Sequence, residues 1–229
     1  GLTIDQISLV SENSNDETVN FQLKAQSGEG ELVVDGETTL DGKQGWPTRL
    51  TINGDDFEVS RIPESQIRVS PDLEVSLQRG KVDITGGVHI PFARLEPIDI
   101  SRGARVSADA VVISDDPATA EQWAVTSRVR LSLGERVNFY GFGFEGRFGG
   151  SVLLEEKPGQ TTRATGEINI PEGRYRAYGQ RLDVEQGRLI FSGGPPGNPG
   201  LDVRAVRQVN TVTAGVKLRG NLNNPQLEL

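Results

Sequence analysis

Apolar and polar residues alternate over short runs along most of the chain, a period of two that places the apolar side chains of each run on one face of a β-strand. The clearest runs are Leu73, Val75, Leu77; Val82, Ile84; Val88, Ile90; Val106, Ala108, Ala110, Val112; Val125, Val129, Leu131, Leu133; Leu182, Val184; Leu201, Val203, Ala205; and Val212, Ala214, Val216, Leu218. Arg128, Arg130, Asp183, Glu185, Arg204, Lys217 and Arg219 fall between them and point to the other face. Helical spacing is nearly absent. Only DDPATAEQ, residues 115–122, reads as locally helical, with Pro117 suited to a first turn, and it is too short to cover a sheet. The pattern predicts an all-β chain, a long antiparallel meander continuous over residues 1–229.

Turn chemistry punctuates the runs. Asp35-Gly36, Asp41-Gly42, Asn53-Gly54, Arg79-Gly80 and Gln186-Gly187 supply residues that tolerate positive φ and are expected as tight turns. FSGGPPGNPGL, residues 191–201, holds four Gly and three Pro in eleven positions and is expected as a loop within the same unit. TGGVHIP at 85–91 matches TGEINIP at 165–171, an offset of 80, and Ile98–Gly103 resembles Leu182–Gly187 at an offset of 84. Whether this echo is a repeat or converging hairpin grammar, a strand ending in Pro, a loop, and a strand closing at Gly are used twice.

One-sided strands need a destination for their apolar face: another sheet, helices, a closed barrel or an apolar ligand. Helices are excluded by the pattern. A membrane-spanning barrel calls for aromatic girdles at its strand ends, whereas the 13 aromatics here cluster between Phe139 and Phe148 and are otherwise scattered. A sandwich, a closed barrel and an open curved sheet with an apolar trough remain, and alternation does not separate them.

Composition removes most reactive chemistry. Without Cys there is no disulfide, thiol nucleophile or thiolate metal site, and the single His cannot build a multi-histidine centre. Met is absent even at position 1, so the chain, opening Gly1-Leu2, is expected to be a piece of a longer polypeptide. GFGFEG at 141–146 has the spacing of a dinucleotide-binding turn, but VNFYGFGFEGRF, residues 137–148, alternates as a strand with Tyr140, Phe142, Phe144 and Phe148 on one side, and nothing helical follows. His89, between Val88 and Ile90, is expected to face away from the apolar side, and no nucleophile elbow accompanies it. The carboxylate pairs Asp55-Asp56, Asp115-Asp116 and Glu155-Glu156 read as solvated turns rather than as an acid/base or calcium site. The net charge of −8 is uneven, −9 over residues 1–60 against +3 over 161–229, which argues against a nucleic-acid partner and leaves a solvated acidic rim or a dock for a basic partner at the first end.

The last 64 residues carry a resemblance. GEINIPEGRYRAYGQRLDVEQGRLIFSG (166–193), NPGLDVRAVR (198–207) and AGVKLRGNLNNPQLEL (214–229) occur in that order, with Gly173-x-Tyr175-x-x-Tyr178-Gly179, the Phe191-Ser192-Gly193 ending and the Asn198-Pro199 step. This stretch resembles the C-terminal domain of the TamB family; residues before it match only in composition and β style. The resemblance implies a subunit of the translocation and assembly module of Gram-negative envelopes, related to AsmA-like and bridge-like lipid transport proteins. It implies a long curved antiparallel β-sheet, an open half-pipe or β-taco with a hydrophobic lumen. It also implies a periplasmic location in a protein anchored in the inner membrane by an N-terminal helix absent from this chain, and a family end beyond Leu229. The implied partners are the outer-membrane protein TamA, through its POTRA region, phospholipid or acyl chains in the groove, and outer-membrane protein clients such as autotransporters. No enzyme activity, cofactor or metal is implied.

Two readings of function follow. In the first, a groove lined by Val129, Leu131, Leu133, Leu182, Val184, Leu189, Phe191, Val203, Val216 and Leu218 conducts phospholipid, with Leu189 and Phe191 turned outward if Gly187 carries a bulge. In the second, a chaperone-like assembly factor binds client strands or TamA by edge pairing, and the groove is secondary. A carbohydrate-active β-solenoid would repeat every 20 to 25 residues or so, which an offset of 80 does not support.

Overall fold

The computed structural model describes residues 4–15, 17–97, 123–177, 180–209 and 212–228, and among them it holds strands and no helix. In chain order these are β1 (Gln6–Asn15), β2 (Thr18–Ser27), β3 (Gly30–Thr39), β4 (Thr48–Asp55), β5 (Phe57–Ile62), β6 (Ser65–Gln78), β7 (Lys81–Leu95), β8 (Ala124–Gly141), β9 (Phe144–Glu156), β10 (Arg163–Ala177), β11 (Gln180–Gly194), β12 (Gly200–Val209), β13 (Val212–Asn221) and β14 (Asn224–Glu228). All 14 belong to one sheet, with β5 off the main path and paired to β6. The sheet does not close: β1 and β14 are its edges. Of the three destinations that alternation left open, the structure takes the open sheet.

One pair departs from the expected meander. β7 and β8 run parallel, from Lys81 opposite Ala124 to Leu95 opposite Phe139. Alternation assigns faces, and says nothing of strand direction, so this pair was invisible in the pattern. The helical stretch expected at 115–122, the run Val106 to Val112, the pair Asp115-Asp116 and the Ile98–Gly103 half of the echo lie outside the described residues.

β4 and β5 are one strand interrupted. Asp56 stands between them at φ 47, its N–H donating to Ser70 Oγ at 3.0 Å and its carboxylate paired with Arg68 at 2.7 Å. The 14-residue β6 takes β4 along one half and β5 along the other. Asp55-Asp56 is thus a kink held by an ion pair, where a solvated turn was expected. Glu155-Glu156 lies inside β9, its members on opposite faces, with Glu155 near Arg128 at 3.7 Å.

Two of the five expected turns, Asp41-Gly42 and Arg79-Gly80, lie between strands. Asp35-Gly36, Asn53-Gly54 and Gln186-Gly187 lie inside β3, β4 and β11, where the glycine makes room for a neighbour. A Cβ on Gly36 would sit 2.1 Å from the Phe21 ring, and one on Gly187 would sit 2.7 Å from Ile170 Cβ. The expected loop at 191–201 shrinks to 195–199. Residues 137–148 form a hairpin, where a single strand was expected: Phe142 (φ 53) and Gly143 (φ 79) make a two-residue turn of the I′ kind. Tyr140 accordingly opposes Glu145 on one face, while Phe139, Phe144 and Phe148 cluster on the other with ring centroids 6.0–6.3 Å apart.

The TG-x-x-x-IP echo has a structural counterpart. Gly86 (φ 123) and Gly166 (φ 139) each let a neighbouring carbonyl, Asp72 O or Ser151 O, come to 2.2–2.3 Å from where a Cβ would be. Five residues on, at Pro91 and Pro171, each strand carries an extra residue relative to a neighbour. Register shifts continue across the sheet at this level, at 133–137 in β8 and at 184–186 in β11. These bulges, which bend a strand and raise its twist, line up as a transverse crease. Ala93, Val137, Ile170 and Ala205, four of the few buried apolar side chains, lie along it. The rest of the apolar face is not sealed among the described residues: Val88, Leu131, Leu133, Val184 and Val216 are half-buried rather than buried.

Candidate functional site

Residues opposed in register project to the same face of a sheet, so the pairing can be followed from strand to strand. Leu218 opposes Val203, and Val203 opposes Gly187. Val216 opposes Ala205, and Ala205 opposes Val184. Leu189 lies between Leu201 and Ile168; Ile168 continues to Gly150 and Leu133. Phe191 continues through Gly166 and Val152 to Leu131, and Leu154 leads to Val129. Leu182 opposes Tyr175, which opposes Phe144. All ten candidate residues therefore share one face, and all ten are half-buried.

The bulge in β11 decides two of them. Leu182 and Val184 are even-numbered, Leu189 and Phe191 odd, so a regular strand would send the two pairs to opposite faces. One extra residue between Val184 and Gln186 restores the phase. A bulge here was expected to turn Leu189 and Phe191 outward; it does the reverse, because it compensates a change of parity already in the sequence.

The apolar face is also longer than the candidate set. It passes from Val88 and Ile90 on β7 through Leu73 and Val75 on β6, Ile52 on β4, Val34 on β3 and Leu23 on β2 to Leu9 on β1. The same alternation marks those residues, but Phe21-x-Leu23 and Leu32-x-Val34 are too short to stand out alone. At the two edges the face is most open, with Leu9 64% and Leu227 66% exposed.

The opposite face is a ladder of cross-strand ion pairs. Arg128 pairs with Glu155, Arg174 with both Glu145 (3.4 Å) and Asp183 (3.3 Å), Arg204 with Glu185 (3.4 Å), and Arg188 with Asp202 and Glu167. His89 belongs to this face, its Nδ1 3.0 Å from Ser132 Oγ. Shallow concavities around Gln22, Asp35 and Arg49, and around Glu145, Arg147 and Arg174, lie here too. Among the described residues no three His, Asp or Glu side chains are grouped to hold a metal ion, and no helix is long and apolar enough to cross a membrane.

The hydrogen bond from the Arg188 guanidinium holds the Asp202 carboxyl below the usual carboxylate range, its charge adding to the effect and partial desolvation opposing it. A depressed carboxylate stabilises the fold above its unfolded value and loses that contribution as pH falls through the folded one. Asp202→Asn is therefore expected to lower the melting temperature at neutral pH and to narrow the gap between wild type and variant at about pH 3. Melting curves followed by circular dichroism at the two pH values check this; an equal gap at both would mean that the pair contributes no proton-linked stability.

Residues 20–229 match the family model described as the TamB C-terminal domain. Among curated proteins, the chain is similar to the "Translocation and assembly module subunit TamB" of Haemophilus influenzae, 24% identical over 234 residues that cover 94% of this chain. The chain spans only 18% of the length of that relative.

Proposed function

Because this chain belongs to the TamB C-terminal domain family, we propose that it is a non-enzymatic part of a translocation and assembly module whose apolar face carries phospholipid acyl chains. The observation that supports this reading is the continuity of that face: from Leu9 on β1 to Leu227 on β14 every strand of the main path contributes apolar side chains to one side, mostly half-buried on the middle strands and exposed at β1 and β14, and among the described residues no second layer covers them. An acyl chain laid on such a face gains about 0.8 kcal/mol per buried CH₂. Burial of this kind is non-directional, which suits a cargo that moves along the face rather than one fixed in a pocket. In this reading the parent protein is anchored in the inner membrane by an N-terminal helix, crosses the periplasm, meets TamA at the outer membrane through the POTRA region, and supports assembly of outer-membrane proteins such as autotransporters.

Photocrosslinking from Leu131 and Val184 in cells tests the proposal. Crosslinks to phospholipid from both positions are expected. Capture of nascent outer-membrane protein in place of lipid would replace the conduit with a client-binding assembly factor, for which the unpaired edge of the exposed β14 offers backbone hydrogen bonds.

A further inference from the structure

The tip where β8 turns into β9 breaks three local rules at once. Phe142 adopts φ 53, in the left-handed region that costs a bulky residue free energy and that Asn or Gly would occupy without strain. The same side chain is 69% exposed, although it is among the largest apolar groups in the chain. Next to it, the Arg176 N–H donates to Gly143 O at 2.7 Å, and Arg176 stands directly opposite Arg181 across β10 and β11. Like charges opposed in a sheet repel. Among the described residues Arg176 has only a long ion-pair contact of 3.9 Å, to Glu145, and the side chains of both arginines are exposed. Tyr140 and Tyr175, also partly exposed, flank the turn, and Phe142 stacks on Phe139 at 6.3 Å, so the tip joins the end of the apolar face.

Strain and unfavourable pairings that persist together at one place are characteristic of functional sites. A strained, exposed phenyl ring favours an apolar phase. Opposed guanidiniums favour an anion between them. Tyrosines that bury a ring while keeping the hydroxyl wet suit the boundary between the two. We propose that this tip is a membrane-contacting element: Phe142 inserts into the interfacial layer of an anionic phospholipid bilayer, and Arg176 and Arg181 share a lipid phosphate. The contact goes beyond the trough, and needs no cargo on the apolar face to form.

Flotation of the 229-residue chain with phosphatidylglycerol-containing vesicles, and with pure phosphatidylcholine vesicles, tests it, beside the variants Phe142→Gly and Arg181→Gln. Wild type is expected to float with the anionic vesicles only. Phe142→Gly is expected to raise the melting temperature, since it relieves the left-handed strain, and yet to lower vesicle binding about tenfold. Arg181→Gln is expected to lower binding about fivefold. Failure of wild type to float, equal flotation with phosphatidylcholine, or wild-type binding by both variants would overturn the proposal. Leu131→Asp separates it from the trough: that variant is expected to float like wild type while co-purifying with less phospholipid, so either reading can fail without the other.

Discussion

Leu131→Asp is expected to remove most of the phospholipid that co-purifies with the chain, while Arg130→Asp, one residue away, leaves it unchanged. The two positions oppose Val152 and Leu153 on β9 and so belong to opposite faces of the same stretch of sheet. A carboxylate at 131 would have to lose water as an acyl chain covers it, a cost of several kcal/mol against a gain of about 0.8 kcal/mol per CH₂. With no cargo, the half-buried position leaves the charge in contact with water, so the fold is expected to survive. The measurement is lipid phosphorus per mole of purified protein, with circular dichroism as the folding control. A loss well above tenfold at 131 and none at 130 is expected; equal lipid content in both variants would remove the trough from the account. Val184→Asp, on the same face at the crease, is expected to behave like Leu131→Asp.

Gly166→Val is expected to be among the most damaging single changes to stability. The residue sits at φ 139, where side chains other than glycine are strained by about 1–3 kcal/mol. Its Cβ would lie 2.3 Å from Ser151 O and 3.0 Å from Val152 Cα, both backbone atoms of the adjacent β9, so no side-chain rotation relieves the clash. Together the two effects are expected to cost about 3–5 kcal/mol, a large share of the 5–15 kcal/mol of an ordinary domain. That corresponds to a fall in melting temperature of roughly 6–20 °C. Gly197→Ala is the matched control: nothing lies within 4 Å of its Cβ and its φ is not left-handed. It is expected to change stability by no more than about 0.5 kcal/mol. Similar melting temperatures for the two variants would show that the bend at Gly166 is not required.

The faces of the strands were legible in the sequence because period-two alternation is a direct image of the pleat. Val129, Leu131 and Leu133 on β8, or Val216 and Leu218 on β13, needed no further information. Three kinds of feature were not legible. Direction was hidden at β7 and β8, whose side chains alternate identically whether the pair is parallel or antiparallel. Glycine was ambiguous: Gly36 and Gly187 look like turn residues, yet each lies mid-strand because a ring or an isoleucine occupies the space of its missing Cβ. The hairpin at Phe142-Gly143 was masked by continued alternation across the turn, with a phenylalanine where Asn or Gly is usual. The family signal behaved differently again. Motifs within residues 166–229 pointed to it, whereas the family model begins at residue 20, across strands whose individual motifs are too short to recognise.

The parallel pair also bears on the order in which the molecule comes together. Every other pairing on the main path joins strands close in the chain, so each can zip from a local hairpin, whereas His89 meets Ser132 across 43 residues. Closing that loop has to precede any reward from the contacts it brings. Two halves, β1 to β7 and β8 to β14, are thus expected to form independently and to join last along the β7 and β8 edges. In that interval each half presents a long strand with unpaired backbone groups, the stage at which the nascent chain is most exposed to mispairing with another copy of itself.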